Sequence, residues 1–379
     1  MDVALIHFAL ALASAASTKS SPNPAVGCVL VSRDQVVLGQ GHTQPVGGPH
    51  AEVMALRDAT ERGLSVVGAT AYVTLEPCSH HGRTGPCCDA LIAAGISKVV
   101  ATAADPNPLV SGKGFARLRA AGITVEVLPA LDPLAVQSRE LNIGFFSRMI
   151  RKSPWVRMKI AASLDGKTAL LNGVSQWITS TEARADGHQW RARSCAILTG
   201  IGTVLKDDPR LDVRLDGVIR QPNLVVVDSK LQTPCDARLF ANNRKVLIYT
   251  ASQDDDRTAA LRGQGALIVH MPERASNGSH TGRVDLKEML EDLGEREVNE
   301  LHVEAGHTLN GELARCGLVD ELVVYLAPKC LGQGTGMMSF GPLTDLTGLI
   351  PLTFLSTTMV GPDLRILARL QNHDLFLTQ

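Results

Sequence analysis

Hydrophobic and polar positions switch between helical and strand-like periods along the first 147 residues. Apolar residues recur with a helical period near the N-terminus, and short continuous apolar runs typical of buried strands follow. Strands separated by helices of this length predict a layered α/β domain with a sheet that is parallel over about half its width. The predicted helices are 3–16, 51–62, 89–94 and 112–121, and the predicted strands are 25–31, 36–39, 71–75, 98–101 and 124–127.

A second α/β pattern begins at Trp155, after a short basic stretch that ends at Pro154. Stretches of this kind are typical of domain boundaries, so the pattern predicts two domains, 1–147 and 148–379. The segment 272–283 is rich in Ser, Asn, Gly and charge and predicts an exposed loop. The predicted strands are 155–161, 196–199, 224–228, 245–249, 267–270, 300–304, 321–326 and 364–369, and the predicted helices are 181–191 and 308–316.

Composition narrows the class of protein. Hydrophobic residues make up 45% of the 379 positions and charged residues 20%, which is typical of a globular chain with more than one core. A net charge of −1 without a basic block argues against a nucleic-acid-binding surface. The apolar start resembles a secretory signal, but Asp2 stands where such a signal is basic. No run reaches the roughly 18 apolar residues of a membrane span. We therefore expect a cytoplasmic enzyme with a small-molecule substrate and no nucleic-acid or membrane partner.

Three residues have the chemistry of a zinc site. His50 is followed by Glu52 two positions later, Cys78 follows a proline, and Cys87 lies nine residues beyond it. One imidazole and two thiolates leave the fourth tetrahedral position of a zinc ion for water, and Glu52 can move protons without binding the metal. Zinc nucleobase deaminases have this pairing of His-x-Glu with Pro-Cys, usually with a Cys–Cys gap of three. The pattern predicts one catalytic zinc ion per chain.

Local sequence also favours Cys87 over Cys88 as the second thiolate. His50 and Cys87 each follow a Gly-Pro pair and begin a predicted helix, where the helix dipole favours a thiolate. Cys88 is one residue farther and would point elsewhere. The alternative is a closed four-ligand zinc site completed by Cys88, His80 or His81, which would leave Glu52 without a role.

The first half of the chain resembles the deaminase part of the bifunctional riboflavin-biosynthesis deaminase/reductase family. The resemblance is carried by SPNPAVG at 21–27, GH at 41–42, HAE at 50–52 and TLEPCSHHGRTGPCC at 74–88. It implies a cytidine-deaminase-like α/β/α fold, zinc on His50, Cys78 and Cys87, and Glu52 as proton donor. Gly85 stands where the family leads us to expect proline. The residues implied to hold the pyrimidine and ribose phosphate are Asn23, His42, His80 and Arg83.

Simpler interpretations of these four residues stay open. Asn23 lies between two prolines, a sequence that favours a bend with no ligand. His80 and Arg83 would suit a solvated loop, and His42 an ordinary strand end.

The second half resembles the reductase part of the same family. Its motifs are KIAASLDGKT at 159–168, SQWIT at 175–179, DDPR at 207–210, VDS at 227–229, VEAGHTL at 303–309 and LVVYLAPK at 322–329. They imply a dihydrofolate-reductase-like α/β fold and NADPH as cofactor. No Gly-x-Gly-x-x-Gly follows a predicted strand, so a Rossmann cofactor site is not indicated. Gly306 instead ends a strand and begins a helix, and its free backbone N–H groups suit phosphates.

The resemblance also implies the roles of individual reductase residues. Lys159 would lie near the reacting ribose, and His307 stands where we expect proline. Arg191 and Arg214 are suited to bind a phosphate, and the alternative is that they are ordinary surface charges. For Trp177 the alternative is a buried position in the core. The residues implied to line the NADPH site are Ala161, Trp177, Thr203, Asp207, Ser229, Gly306, His307, Thr308, Leu309, Asn310, Gly311 and Glu312. Those implied to contact the substrate are Ser175, Arg191, Leu211, Arg214 and Glu304.

Together these features predict a two-step enzyme of riboflavin biosynthesis. Zinc-dependent hydrolysis would remove an amino group from a diaminopyrimidinone bearing a ribosylamino phosphate, and NADPH would then reduce the ribosyl side chain to ribityl. We also expect a homo-oligomer. Two alternatives are a nucleic-acid base deaminase, which should have a basic face and the shorter Cys spacing, and a zinc-stabilised binding protein, which would tolerate loss of Glu52.

Overall fold

The computed structural model describes residues 2–79, 85–108 and 110–378. The chain divides into two compact units, one of Met1–Lys152 with Leu375–Gln379 and the other of Ser153–Asp374. None of the helices in the described ranges combines the length and the apolar character that crossing a membrane would require.

The first unit is built around a five-stranded sheet with the order β2-β1-β3-β4-β5. Strand β1 is antiparallel to both of its neighbours, whereas β3, β4 and β5 are parallel. The expected partly parallel sheet is therefore present. Its strands are β1 (Gly27–Val31), β2 (Val37–His42), β3 (Thr70–Val73), β4 (Lys98–Ala101) and β5 (Thr124–Val127). Its helices are α1 (Val3–Ala16), α2 (Ala51–Glu61), α3 (Cys87–Ala93), α4 (Lys113–Ala120), α5 (Pro133–Leu141) and α6 (Ile143–Arg151).

Two glycines of β2 allow α2 to pack close to the sheet. A Cβ atom at Gly39 would lie 2.2 Å from the carbonyl oxygen of Ala55, and one at Gly41 would lie 2.5 Å from the Ala55 nitrogen. Any side chain at either position would push the helix away. Because α2 begins directly after His50 and carries Glu52, this close packing fixes both residues relative to the strand ends.

The second unit contains a nine-stranded mixed sheet with the order β11-β10-β9-β8-β14-β6-β15-β18-β17. The strands from β11 to β15 are parallel, and β18 and β17 continue the sheet in antiparallel fashion. The strands are β6 (Trp155–Ser163), β7 (Lys167–Leu170), β8 (Ala196–Gly200), β9 (Asn223–Val227), β10 (Val246–Thr250), β11 (Ala266–His270), β12 (Pro272–Arg274), β13 (His280–Val284), β14 (Glu300–Val303), β15 (Glu321–Ala327), β16 (Gly334–Gly336), β17 (Leu352–Val360) and β18 (Asp363–Leu370). The helices are α7 (Thr181–Arg193), α8 (Ile201–Asp207), α9 (Asp255–Gly263), α10 (Leu286–Glu295) and α11 (His307–Arg315).

Apolar side chains cover both faces of the parallel part of this sheet. One buried cluster includes Met158, Leu198 and Leu301, and the other includes Ile197, Leu224 and Ile248. The carboxyl ends of β6, β8, β9 and β14 lie at one edge of the sheet, which is where open α/β sheets bind ligands.

One predicted loop is wrong, and a helix spans the position where we expected the domain boundary. The segment 272–283 forms the antiparallel hairpin β12–β13 rather than a loop. Its strands are short and mostly polar, so they lack the apolar alternation that predicts a strand. Helix α6 continues through residue 148, and the two units separate between Lys152 and Ser153.

Candidate active sites

The structure brings His50, Cys78 and Cys87 together in the first unit. The Nδ1 atom of His50 lies 3.6 Å from Sγ of Cys78 and 3.3 Å from Sγ of Cys87, and all three atoms lie within 4.8 Å of one another. The backbone N–H of Cys87 also donates to the Cys78 sulfur at 3.3 Å. His50 precedes α2 and Cys87 begins α3, so both side chains come from the starts of helices.

These three atoms fit a zinc ion. Tetrahedral bonds of about 2.0 Å to nitrogen and 2.3 Å to sulfur require N–S separations of about 3.5 Å, close to those observed. Cys88 points away from them, because its thiol donates to the carbonyl oxygens of Pro77 at 3.1 Å and Gly114 at 3.5 Å. Within the described residues, the site therefore has three protein ligands.

The charges at the site also favour a metal ion. The hydrogen bond from Cys87 lowers the pKa of Cys78 to about 4, whereas the same contact and burial raise the pKa of Cys87. Zinc binds cysteine as the thiolate, so a bound ion would replace the thiol proton and hold both sulfurs deprotonated. Burial raises the pKa of Glu52 to about 7, and its carboxyl group is hydrogen-bonded to the Cys87 side chain. A carboxyl group that titrates near neutrality can both accept and release a proton.

Two of the four expected deaminase substrate residues lie in described segments. Asn23 is half-buried, and its backbone N–H donates to the Ser20 carbonyl at 2.9 Å, which is the bend that the flanking prolines favour. His42 ends β2, and its Nδ1 lies 3.3 Å from the side-chain nitrogen of Gln44. His80 and Arg83, like His81, lie outside the described residues.

Sequence reasoning missed two buried carboxyl groups beside the zinc ligands. Glu76 accepts backbone N–H groups from Asp105, Gly112, Gly114 and Phe115 at 2.9–3.2 Å and thereby holds the strand end that leads to Cys78. Burial raises the pKa of Asp105 to about 7. Glu76 follows the carboxyl end of β3 and Asp105 follows that of β4. A carboxylate just after an apolar parallel strand is the sequence feature from which both could have been predicted as site residues.

The second unit contains a cavity of about 1670 Å³ at the carboxyl edge of its sheet. It is large enough for a dinucleotide and a second ligand. With one exception, every residue expected to contact the cofactor or the reductase substrate lines it. These are Lys159, Ala161, Ser175, Trp177, Arg191, Thr203, Asp207, Leu211, Arg214, Ser229, Glu304, Gly306, His307, Thr308, Leu309, Asn310 and Glu312.

The exception is Gly311, which faces the backbone of a neighbouring segment. A Cβ atom there would lie 2.0 Å from the carbonyl oxygen of Ser339, so glycine is required for packing. Gly306 is the N-cap residue of α11 and makes no side-chain cap hydrogen bond. The first N–H groups of α11 therefore face the cavity at a helix N-terminus, an arrangement suited to phosphate.

Arg191 is bound to protein groups on all sides of its guanidinium. Its Nε donates to Oε1 of Glu304 at 2.5 Å, its Nη2 to Oε2 of Glu304 at 2.9 Å, and its Nη1 to the Asp212 carbonyl at 2.8 Å. The planar fork that we expected to bind a phosphate thus binds Glu304 instead. His302, fully buried on β14, lies 3.4 Å from the same carboxylate.

The loop that carries Leu211 and Arg214 is held by hydrogen bonds from neighbouring segments. Arg244 donates to the carbonyl oxygen of Leu211 at 2.6 Å, and Leu211 itself has a φ of +49°. The backbone N–H of Arg214 donates to Nδ1 of His188 at 3.3 Å. The Arg214 side chain pairs with Asp212 but remains 58% exposed, so its guanidinium is available to a ligand.

Lys159 is a half-buried amine beside the Arg191–Glu304 pair. Burial lowers its pKa, with Arg191 acting in the same direction and Glu304 in the opposite one. Its Nζ lies 5.8 Å from the centre of the Tyr325 ring. Trp177, by contrast, is 66% exposed, which rules out the buried-core alternative.

Comparisons with known sequences match both units to one family. Residues 154–366 match the RibD C-terminal domain, and residues 1–103 match the cytidine and deoxycytidylate deaminase zinc-binding region. The riboflavin biosynthesis protein RibD of Escherichia coli strain K12 is 44% identical over 94% of this chain and 95% of its own length. RibD of Haemophilus influenzae is 38% identical over 96% of each chain.

Solved structures agree with these matches. Acinetobacter baumannii RibD superposes with a TM-score of 0.87 at 36% identity, covering 97% of this chain and 98% of that one. A Thermotoga maritima diaminohydroxyphosphoribosylaminopyrimidine deaminase/5-amino-6-(5-phosphoribosylamino)uracil reductase gives a TM-score of 0.82 at 31% identity, with the same coverage. The expected pairing of a deaminase-like fold with a dihydrofolate-reductase-like fold is confirmed.

Proposed function

This chain belongs to the RibD family of bifunctional riboflavin biosynthesis enzymes, and on that premise we propose which of its residues perform the two reactions. The first reaction is hydrolytic deamination of 2,5-diamino-6-ribosylamino-pyrimidinone phosphate. The second is reduction of the ribosyl side chain to ribityl by NADPH. The observation that carries the assignment is that each unit has its own site, a zinc-ligand cluster in one and a dinucleotide-sized cavity in the other.

In the deaminase site, His50, Cys78 and Cys87 would hold the zinc ion. Zinc, when bound, supplies the Lewis acidity that makes water nucleophilic near neutral pH. Glu52 would take up a proton at its carboxylate and pass it to the departing ammonia, because burial raises the pKa of this carboxyl group to about 7. By the family resemblance, Asn23, His42, His80 and Arg83 would hold the pyrimidine and the ribose phosphate.

In the reductase site, we assign substrate binding to the loop 208–214 and to the residues around Glu304. Arg214 binds the substrate phosphate, since its guanidinium is exposed in the cavity. Arg191 acts through Glu304, whose carboxylate it holds with two hydrogen bonds. Lys159 lies next to this pair and can donate a proton to the ring-opened sugar, because burial lowers its pKa. Ser175 and Leu211 complete the substrate wall.

NADPH supplies the hydride, and the start of α11 is the proposed site for its diphosphate. No side chain caps α11 at Gly306, so the backbone N–H groups of His307, Thr308 and Leu309 can donate to a phosphate. The helix dipole also favours a negative charge at this position. Thr203 in the first turn of α8 and Ser229, two residues beyond β9, add hydroxyl donors. We assign this function to the cytoplasm, where NADPH is available and cysteine pairs such as Cys78 and Cys87 stay reduced.

We also propose that the chain forms a homo-oligomer through β17. This edge strand is exposed along eight of its nine residues, and residues 346–361 carry no charge. Leu352 and Phe354 lie opposite Leu370 and Ala368 of β18, so the buried core surface continues onto an uncovered strand. A second copy of β17 offers the same uncharged surface and the same unpaired backbone groups.

The function is tested by supplying zinc-loaded protein with the diaminopyrimidinone phosphate, first without and then with NADPH, and resolving the products by mass. We expect the deaminated ribosyl compound first and the ribityl compound only after NADPH is added. Glu52→Gln should block both products from the diamino substrate but still reduce the deaminated compound. Reduction without prior deamination would refute the proposed order.

The oligomer is tested by sedimentation of Phe354→Glu, which places a charge in the middle of β17. We expect this variant to sediment as a monomer while the wild type does not. Leu131→Glu is the matched control, because Leu131 is comparably exposed in the other unit. Equal sedimentation of all three proteins would contradict the β17 interface.

A further inference from the structure

Trp177 is an exposed aromatic side chain on the wall of the reductase cavity, and one face of its ring is covered. The guanidinium carbon of Arg184 lies 4.5 Å from the centre of the ring, a cation–π contact. Trp177 lines the cavity, whereas Arg184 is not among the described residues that line it. The guanidinium covers one face of the ring, and because Trp177 is exposed and lines the cavity, the uncovered part of the ring is accessible to a ligand there.

Arg184 is itself fixed in orientation. Its Nη1 donates to the carbonyl oxygen of Thr179 at 2.7 Å, and its Nη2 donates to Oγ1 of Thr181 at 3.0 Å. Both acceptors flank Ser180, whose hydroxyl caps α7 by accepting the Ala183 N–H at 3.2 Å. Two directional hydrogen bonds to a capped helix start hold the guanidinium plane, so the stacked indole is held with it.

The backbone that follows Trp177 is also anchored by side chains that are distant in sequence. Lys329 donates to the carbonyl oxygen of Ile178 at 2.9 Å, and the N–H of Ser180 donates to the buried carboxylate of Asp363 at 2.7 Å. Together with the Arg184 contact to Thr179, each of the residues 178–180 thus has a backbone group bound to a side chain, and two of these side chains are distant in sequence. Trp177 stands at the end of this anchored segment, which limits the movement of its ring.

We infer that Arg184 is a positioning residue that holds Trp177 as a flat platform, on which a planar heteroaromatic ring stacks from the cavity side. The inference rests on the proposed function, which places NADPH and a pyrimidine in this cavity. The nicotinamide and the pyrimidine are both planar heteroaromatic rings, so the platform suits either. A ring that is already immobilised loses little conformational entropy when the ligand binds.

Intrinsic fluorescence gives a readout that does not depend on activity. The chain has three tryptophans, and of these Trp177 is the exposed one that lines the cavity. NADPH alone is titrated into wild type, Arg184→Ala, Arg184→Lys and the control Gln189→Ala, an exposed position on the same helix. Trp177→Phe identifies the part of the signal that arises from Trp177. The KM for the deaminated pyrimidine is then measured at saturating NADPH.

We expect Arg184→Ala to raise one of the two constants by about threefold to tenfold, the size of one cation–π contact. The same constant for Arg184→Lys should lie between the values for the wild type and Arg184→Ala, because lysine keeps the cation but not both hydrogen bonds. A higher Kd for NADPH would identify the nicotinamide as the stacking ring, and a higher KM for the pyrimidine alone would identify the pyrimidine. If both constants stay within twofold of the Gln189→Ala values, the inference is wrong even where the Tm falls. If the wild type binds neither ligand, the proposed function itself fails.

Discussion

Arg191 and Glu304, separated by 113 residues in sequence, form a two-bond ion pair at the edge of the reductase sheet. Each side chain is only 14% exposed. The pair ties the last turn of α7 to the end of β14. A buried ion pair of this kind orients its members, but it stabilises a fold little compared with apolar packing.

Removing one member of this pair should therefore cost more stability than removing both. Arg191→Met leaves the Glu304 carboxylate buried without its partner, at a cost of about 3–5 kcal/mol in the free energy of unfolding. The double variant Arg191→Met/Glu304→Leu should recover most of that loss but not the reductase activity. Urea unfolding of the second unit measures the first effect and NADPH consumption the second. A double variant no more stable than the single one would show that the pair itself stabilises the fold.

Arg214 should behave differently, because it is largely exposed. Arg214→Ala should raise the substrate KM of reduction by about tenfold through the loss of a charge-assisted contact. Its Tm should stay near that of the wild type, and deamination should be unaffected because the zinc ligands lie in the other unit. An unchanged KM would remove Arg214 from the proposed phosphate site.

The zinc ligands can be tested by comparing Cys78, a proposed ligand, with Cys88, a nearby cysteine that points away from the site. Cys78→Ser should lose metal affinity, whereas Cys88→Ser should retain about one zinc ion per chain, because serine can keep the hydrogen bonds to the Pro77 and Gly114 carbonyls. Glu52→Gln should retain zinc and lose deamination by a factor of about 10²–10⁴. Zinc content by elemental analysis, beside the rate of ammonia release, separates these outcomes. Zinc loss in Cys88→Ser would point to a four-ligand site.

The last residues of the chain should stabilise the deaminase unit. Phe376 is buried in the first unit, where the Arg151 guanidinium lies 4.9 Å from its ring centre. Phe376→Ala should lower the free energy of unfolding of that unit by about 3–5 kcal/mol. Leu375→Ala, at an exposed neighbouring position, serves as the control. If thermal unfolding followed by zinc release is the same for both variants, the tail does not contribute to this core.

His188 should make the reductase unit less stable in acid. Burial, together with Arg191 and Arg214, lowers its pKa from 6.5 to about 4. Because the unfolded state binds the proton more tightly, stability is intact above about pH 6.5 and is lost as the pH falls toward 4.

His188→Asn keeps an acceptor for the Arg214 N–H but cannot titrate, so it should lose less stability between pH 7 and pH 5. The difference should be on the order of 1 kcal/mol after solvent screening, or about 2–4 °C in Tm. Parallel Tm curves for the two proteins over this range would contradict the assignment.

Local sequence could predict the structure of residues whose conformation depends only on neighbours a few positions away. Strands 98–101 and 124–127 were predicted with the observed bounds, because apolar runs between turn residues depend on local periodicity. The starts of α2 and α3 after Gly-Pro pairs likewise placed His50 and Cys87 at helix ends. For the same reason the polar hairpin β12–β13 was missed, since its short strands have no apolar alternation to detect.

Only the tertiary structure decided which distant residues meet. Nothing near Arg191 in sequence indicates that its fork binds Glu304, since that contact depends on the order of β8, β14 and β6 in the sheet. The four backbone N–H groups around Glu76 come from residues 29–39 positions away. The residue types and helix starts at the two sites could be predicted from sequence because they depend on periodicity and turn chemistry. The partners of the charged residues could not, because a buried charge is paired by whatever group the strand order brings beside it.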